Sequence, residues 1–211
     1  IASFHNDKGE LLIEGLTPTE QDVFELSDEF VKSSLSSNGV ELFEMDSYSK
    51  RLWLEPALSI LAIDAPPVAE SVNLLIPKAK AKVSLRLPPT EDPDHAMNML
   101  KKHVNENTPF NANVEFIPEA KGKGILVDPK NEFSSKLIKS FNKYWENEVA
   151  YMGVGGSIPF ANVFINEFPN SEIVLVGAGD EEGNAHAPNE SVNLIDIQRL
   201  IDSLSDALSS Y

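Results

Sequence analysis

The chain has 211 residues, of which 42% are hydrophobic, and 33 acidic residues outnumber 17 lysines and arginines to give a formal net charge of −16. This charge argues against nucleic acid and membrane partners, because both are bound through basic surfaces; no apolar run reaches the ~20 residues of a membrane span. The absence of cysteine excludes disulfides, thiolate catalysis and cysteine-based zinc sites, and favours a cytoplasmic protein.

The first elements along the chain are a helix and a pair of weak strands. Thr17 can cap a helix that runs to about Leu35, and Glu20, three residues after Thr17, completes a capping box. After a serine-rich loop, residues 40–63 alternate loosely between apolar and polar, which predicts two irregular strands around Trp53.

Residues 78–87 are the best-defined strand, because basic or polar residues alternate strictly with apolar ones. The basic face carries Lys78, Lys80, Lys82, Ser84 and Arg86, and the core face carries Ala79, Ala81, Val83, Leu85 and Leu87. The lysines are typical of a solvated face or a protected sheet edge. Arg86 ends the row, and a planar guanidinium there could bind a carboxylate through two hydrogen bonds.

The next helix begins at Pro93 with Asp92 as its cap. His95 and His103 on this helix are eight residues apart, outside the i, i+4 spacing that lets two imidazoles share a metal, so both are predicted at the surface. Residues 112–117 alternate again and predict another strand. Segregated strands and helices of this kind indicate an α+β domain, an antiparallel sheet with helices on one face.

A polar segment from 119 to 129, rich in glycine and lysine, predicts a crossing between two domains, 1–119 and 120–211. Beyond it, an apolar helical stripe, a short apolar run at 173–176 and an amphipathic C-terminal helix follow one another. The apolar run is typical of a buried parallel strand. One or two strands make no stable sheet, so this half is predicted to be the C-terminal part of an α/β domain completed by residues outside the chain.

Two loops in this half could carry chemistry. The Gly155-Gly156-Ser157 turn exposes backbone N–H groups and a hydroxyl, as an anion site requires, and His186 is followed by Pro, Asn and Glu. The two Gly-x-Gly pairs nearby lack the third glycine of a dinucleotide fingerprint, which would fall at Ile158 or Glu182. A serine hydrolase built on Ser157 lacks the Gly-x-Ser-x-Gly elbow, and only His186 could act as its base.

Three motifs together resemble the M20 zinc metallopeptidases, in particular the dipeptidase branch that includes the carnosine dipeptidases. They are Gly155-Gly156-Ser157-Ile158-Pro159, Ala185-His186-Ala187-Pro188-Asn189-Glu190, and Ile76-Pro77 followed by residues 83–88 and Asp92-Pro93. The resemblance covers nearly the whole chain. It implies that residues 1–119 form most of a lid or dimerisation domain and that the rest is the end of the catalytic domain.

The resemblance also implies the chemistry, which is hydrolysis of a peptide bond in a dipeptide by a water that bridges two zinc ions. His186 matches a metal ligand, while Arg86, Gly156, Ser157 and, near another family position, Asn73 match substrate-binding residues. The remaining ligands, the general base and a lid histidine lie upstream in the family, so the chain is expected to hold no catalytic residue. It starts on Ile1 and is expected to be an inactive piece of a homodimeric enzyme.

One departure from the family limits the substrate, because Gly153-Val154 stands where many members of the branch have Arg-Glu. A smaller, less polar wall at the turn leaves the substrate's side chain undetermined. Two alternatives stay open beside the dipeptidase. The parent protein could be an M20 amidohydrolase that removes an acyl group from N-acyl amino acids, or the chain could be a non-catalytic dimerisation module.

Overall fold

The structure is a computed structural model that describes residues 1–33, 45–153, 159–180 and 183–210. These residues form two compact units. The first comprises Ile1–Gly124 with Met152 and Gly153, and the second comprises Ile125–Tyr151 with the described residues from 159 onward.

The two units differ in their secondary structure. The first contains α1 (Asp28–Ser33), α2 (Tyr48–Trp53), β1 (Ala57–Asp64), β2 (Lys80–Arg86) and α3 (Pro93–Glu106), with 3₁₀ turns at Val68–Glu70 and Pro109–Asn111. The second contains α4 (Glu132–Tyr144), α5 (Pro159–Glu167) and α6 (Leu194–Ser209). Among the described residues, strands therefore occur in the first unit alone.

Strands β1 and β2 pair antiparallel, from Ala57 opposite Arg86 to Asp64 opposite Lys80. The register shifts between Ile60 and Ala62, as a β-bulge produces. The strand predicted at 78–87 is confirmed by β2.

The core of the first unit lies between this sheet and α3. Its buried members are Phe4, Ile13, Leu58 and Leu100, and Leu11, Leu16, Val83, Leu85, Met99, Val104 and Phe116 pack against them. Helix α3 begins where the sequence predicts, because Asp92 Oδ1 accepts hydrogen bonds from the backbone N–H groups of Asp94 (3.0 Å) and His95 (2.8 Å). The apolar stripe of α3 therefore meets the apolar face of β2.

The helix predicted from Thr17 to Leu35 is wrong over its first part, because the described helix begins at Asp28. Backbone groups in the preceding segment bond to distant residues. The Thr19 N–H donates to Leu54 O (2.8 Å), and the Leu26 N–H donates to the buried Ser49 Oγ (2.8 Å). Residues 34–35 lie outside the described residues. Tertiary hydrogen bonds therefore replace the capping box at Thr17.

The prediction of two irregular strands at 40–63 is wrong around Trp53, which is the last residue of helix α2. Ser47 caps this helix by accepting a hydrogen bond from the Lys50 N–H (3.1 Å). Residues 40–44 lie outside the described residues. The strand predicted at 112–117 is also not formed, and Phe116 instead packs against the core through its side chain.

His103 is buried, contrary to the prediction that both histidines of α3 lie at the surface. Its side chain is 8% exposed, its Nε2 lies 3.0 Å from Ser3 O, and its ring stacks on Phe4 with a centroid distance of 5.4 Å. The N-terminal residues fold back over α3 and cover it, which periodicity along the helix does not reveal. His95 is exposed as predicted, and its Nδ1 lies 2.7 Å from Glu91 Oε1.

In the second unit, α4 packs against α6. Leu137 and Ala207 are buried, and Asp206 of α6 accepts hydrogen bonds from Ser140 Oγ (2.7 Å) and Lys143 Nζ (2.6 Å) of α4. At the start of α4, the carboxylate of Glu172 accepts three hydrogen bonds of 3.0 Å from the Phe133 N–H and from the N–H and hydroxyl of Ser134. Charged and polar contacts therefore hold both ends of α4.

The buried strand predicted at 173–176 is wrong for the described structure. These residues adopt no strand, and the side chains of Leu175 and Val176 are 52% and 44% exposed. A strand needs a neighbour to accept and donate its ladder hydrogen bonds. The described residues of the second unit supply no such neighbour.

Candidate functional site

Arg86 is the last residue of β2, where it pairs with Ala57 of β1. Its side chain is exposed and has no hydrogen-bond or ion-pair partner within the part of the chain that the structure describes. The chain's other two arginines are engaged, Arg51 by Glu55 (3.1 Å) and Arg199 by Glu146 (2.8 Å) and Asp196 (3.5 Å). Arg86 thus extends an exposed guanidinium from an ordered strand, where a carboxylate from outside could reach it.

Acidic residues lie near the lysines of the same strand. Lys82 Nζ lies 2.6 Å from Glu119 Oε2, and Lys80 stands opposite Asp64 in the ladder. These positions fit the prediction of a solvated, edge-protecting face. Among the described residues, Lys80 and Arg86 are therefore the basic residues of β2 without an ion-pair partner.

Asn73 lies in the segment between Val68–Glu70 and β2, in the same unit as Arg86. Its side chain is exposed, as are those of Leu74 (78%) and Leu75 (97%) beside it. No hydrogen bond joins Asn73 to Arg86 in the described structure. The structure therefore does not bring these two predicted substrate-binding residues together, and the role of Asn73 stays a prediction.

His186 belongs to the second unit and lies in a compact loop. Two backbone hydrogen bonds close the base of this loop, from Gly183 N–H to Asp180 O (3.2 Å) and from Ser191 N–H to Gly183 O (2.9 Å). Gly183 is buried, and a Cβ there would lie 3.0 Å from Ser191 O. A side chain at 183 would press on the hydrogen bond that closes the loop.

The backbone of His186 is in the left-handed region, with φ of 64°, and Asn184 (50°) and Asn189 (63°) share this conformation. Asparagine and histidine are among the residues other than glycine that adopt this conformation most often. The His186 side chain is exposed, with no partner in the described structure. The loop therefore presents an imidazole that the described fold does not use.

A zinc site would need at least three protein ligands. The described residues contain no group of three or more histidine, aspartate or glutamate side chains that could hold a metal ion. His186 offers one imidazole, and no second ligand stands beside it among the residues that the structure describes. The described residues therefore do not make up a zinc site.

The remaining predicted site residues, Gly156 and Ser157, lie outside the described residues. The last described residue before them is Gly153, and it packs directly against Trp53. This contact is not predictable from the sequence, because the two residues are 100 positions apart and no local pattern links them.

Among the described helices, none is both long and apolar enough to cross a membrane.

The chain matches the M20 family described as the peptidase dimerisation domain over residues 4–112. A cysteinylglycine-S-conjugate dipeptidase from Corynebacterium striatum is 26% identical over 221 aligned positions, which cover 100% of this chain and 48% of the relative. The chain thus spans about half the length of the curated relative that it matches.

Solved structures show the same fold. An M20 family metallo-carboxypeptidase from Sulfolobus solfataricus superposes with a TM-score of 0.70 at 22% identity, over 98% of this chain and 49% of that one. Human carnosine dipeptidase 1 superposes with a TM-score of 0.68 at 18% identity, over 100% of this chain and 48% of that one. The di-peptidase Dug1p from Saccharomyces cerevisiae superposes with a TM-score of 0.67 at 20% identity, over 98% of this chain and 46% of that one.

Proposed function

The chain belongs to the M20 peptidase dimerisation-domain family, and from that premise we propose that it is the lid domain and the C-terminal catalytic segment of a zinc-dependent dipeptidase. Its fold class is the predicted one, an α+β domain with an antiparallel sheet joined to part of an α/β metallopeptidase domain. In this proposal the lid comprises residues 1–119 and the catalytic segment residues 120–211. The curated relative from C. striatum, a dipeptidase by name, supports this substrate class.

The observation that carries the proposal is the unpartnered guanidinium of Arg86 on an ordered strand. A chain with 33 acidic residues offers many carboxylates, yet none of those described pairs with Arg86. Holding a charge without a partner is useful where an anionic ligand must be bound. Every dipeptide has a C-terminal carboxylate, and Arg86 is the residue proposed to bind it.

The other site residues take the roles that the family resemblance implies. His186 contributes one metal ligand, Gly156 and Ser157 contact the substrate, and Asn73 is a further contact. As the family resemblance implies, the remaining ligands, the general base and the zinc ions are proposed to belong to the part of the complete protein outside this chain. The 211-residue chain by itself is then inactive.

The lid is also proposed to form a homodimer, which the match to a dimerisation domain supports. A two-fold contact uses the same surface on both copies, and a small sheet with an exposed edge is suited to one. The cysteine-free composition supports a cytoplasmic setting for the complete enzyme.

The proposal is tested on the complete protein loaded with Zn²⁺, by comparing kcat/KM on a panel of dipeptides with kcat/KM on N-acyl amino acids. Faster turnover of the dipeptides supports a dipeptidase. A preference for N-acyl amino acids identifies an acyl-removing amidohydrolase instead, and no turnover of either class leaves a dimerisation module. His186→Ala should remove activity together with part of the bound metal, so a variant with full metal content contradicts the ligand role.

A further inference from the structure

A polar segment follows helix α3 and is tied to the end of that helix. Thr108 Oγ1 donates a hydrogen bond to Val104 O of α3 at 2.6 Å. The 3₁₀ turn at Pro109–Asn111 comes next, and the Ala112 N–H donates to the first carbonyl of this turn at 3.1 Å. The turn is therefore anchored on α3 by a side chain and closed by its own backbone.

This turn and the last turn of α3 border a surface cavity of about 320 Å³, called the amide pocket below. It is lined by Asn105, Thr108, Asn111, Ala112, Asn113 and Val114. The volume corresponds to roughly ten water molecules, and sites for small molecules begin at about 300 Å³. The amide pocket therefore has room for one small ligand.

Three asparagine amides supply most of the polar groups of the amide pocket. The side chains of Asn105, Asn111 and Asn113 are exposed, and none of them has a hydrogen-bond partner within the part of the chain that the structure describes. A primary amide presents a carbonyl acceptor beside two N–H donors. The pocket thus offers three acceptor–donor edges that the described fold leaves unused.

The ligand that suits these groups is uncharged. None of the six lining residues is ionisable, and the formal net charge of −16 repels anions at long range. A cation would favour a carboxylate, which the lining does not supply. A hydroxyl both donates and accepts, so two neighbouring hydroxyls of a polyol can bond to the N–H and the carbonyl of one amide.

The backbone beside the amide pocket is strained. Phe110 (φ 56°, ψ 24°) and Asn111 (φ 53°) are consecutive residues in the left-handed region. Asparagine adopts this region readily, but a bulky residue such as phenylalanine rarely does. The Phe110 side chain is 100% exposed, so no packing of its ring offsets the strain. Strain of this kind is concentrated at ligand sites.

The ring of Phe110 is an apolar surface that immediately precedes a lining residue of the amide pocket. Aromatic faces are electron-rich and attract the positive edges of C–H groups. A sugar ring has C–H groups on its faces and hydroxyls around its rim. An exposed aromatic ring and free amides together match these two kinds of surface.

We propose that the amide pocket binds a neutral polyhydroxy ring, such as a monosaccharide. The three amides bond to its hydroxyls, and Phe110 packs on its C–H face. A ligand of about a dozen heavy atoms that is held by exposed groups should have a Kd of about a millimolar. None of these residues has a role in the proposed peptidase function, so binding here is independent of that activity.

The test is ligand-observed saturation-transfer NMR on the complete protein. D-glucose and myo-inositol are the probes, and cyclohexanol, a six-membered ring with a single hydroxyl, is the control. Both polyols should receive saturation with a Kd of about a millimolar, and cyclohexanol should receive much less. Tighter binding of maltotriose than of methyl α-D-glucoside assigns the pocket to the end of a glycan chain, and the reverse order assigns it to a free sugar.

Variants place the binding on the amide pocket. Asn111→Gly removes an amide and keeps a residue that accepts positive φ, while Asn105→Ala and Asn113→Ala remove the other two. Each should raise the Kd about 3- to 10-fold, the effect of losing one or two hydrogen bonds, and Phe110→Ala should raise it as well. Asn98→Ala, exposed on α3 and outside the lining, is the matched control and should leave the Kd unchanged. All five side chains are exposed, so the thermal midpoints should stay close to that of the parent protein.

Three results would overturn the proposal. Absence of transfer to both polyols, at concentrations well above a millimolar, would show that the pocket holds no such ligand. Equal transfer to cyclohexanol would show an apolar contact without recognition of hydroxyls. Equal Kd values in Asn111→Gly and Asn98→Ala would place the binding elsewhere on the protein.

Discussion

Lys143 of α4 donates a hydrogen bond to Asp206 of α6 at 2.6 Å, and Ser140 one turn away donates to the other oxygen of the same carboxylate at 2.7 Å. The hydrogen bond from Lys143, followed by that from Ser140, holds the pKa of Asp206 below its ordinary value of 3.8. The reciprocal contact raises the pKa of Lys143 above 10.5. This cluster links the two helices that build the second unit.

The first prediction concerns acid unfolding. A carboxyl group whose pKa is lower in the folded state stabilises the fold above its unfolded pKa and loses that contribution as the pH falls through the folded pKa. The thermal midpoint of the chain should therefore exceed that of Asp206→Asn at pH 7, and the difference should shrink below pH 3.8. Differential scanning calorimetry from pH 7 to pH 2 measures it. A difference that stays constant across this range would show that Asp206 acts through shape alone.

The second prediction concerns Glu172, whose carboxylate accepts the Phe133 and Ser134 N–H groups at the first turn of α4. Burial raises the pKa of Glu172, but the hydrogen bonds from Ser134 and Phe133 outweigh it and leave the pKa lowered. Glu172→Ala should expose these donors and fray about one turn of α4. Hydrogen exchange at residues 133–136 should speed up, while exchange in α6 changes less. Equal protection of α4 in both proteins contradicts the capping role.

The third prediction concerns Arg86 in the complete enzyme. Arg86→Ala should lower kcat/KM on free dipeptides, with a loss of transition-state stabilisation of about 2 to 4 kcal/mol. This is the range for a charged pair that loses one partner. A dipeptide amide lacks the carboxylate and should lose far less. Arg86→Lys keeps the charge but loses the planar guanidinium. Its kcat/KM on free dipeptides should lie between those of the unchanged enzyme and Arg86→Ala. Equal losses on the acid and the amide would mean that Arg86 supports the fold or the dimer instead.

The fourth prediction concerns the buried His103. His103→Ala should remove the hydrogen bond to Ser3 O and the stacking on Phe4, at a cost of about 1 to 3 kcal/mol in the free energy of unfolding. Lys101→Ala on the exposed side of the same helix is the matched control and should stay within about 0.5 kcal/mol. Urea unfolding followed by tryptophan fluorescence gives both values. Similar values for the two variants would place His103 outside the core.

The fifth prediction concerns metal binding by the 211-residue chain. A single imidazole holds zinc weakly, because the other coordination positions stay with water. Calorimetric titration with Zn²⁺ should therefore show no site of micromolar affinity, and the chain should not hydrolyse dipeptides. Tight binding of one equivalent that disappears in His186→Ala would instead reveal a complete site within this chain.

The sequence predicts those elements whose determinants are local. Strand β2 is predicted by its alternating polar and apolar residues, and the start of α3 is predicted by Asp92-Pro93. Both elements form where expected. The GGSIP and AHAPNE motifs likewise name the family, which the match over residues 4–112 confirms.

Elements that depend on distant partners are predicted badly. The segment after Thr17 forms backbone hydrogen bonds to Ser49 and Leu54 and is not helical. His103 is covered by Ser3, which lies 100 residues away in the sequence. The contact between Trp53 and Gly153 has the same separation. The roles of Arg86 and His186 rest on the resemblance to the family and stay predictions.

The uncovered apolar run at 173–176 has a consequence for measurements of association. A short, uncharged, β-prone segment without a ladder partner is a template on which further chains can add. Growth of that kind is open-ended and increases steadily with concentration, whereas a two-fold contact closes at two copies. The size distribution of the particles, more than their mean mass, therefore tells a lid dimer from adventitious stacking of this segment.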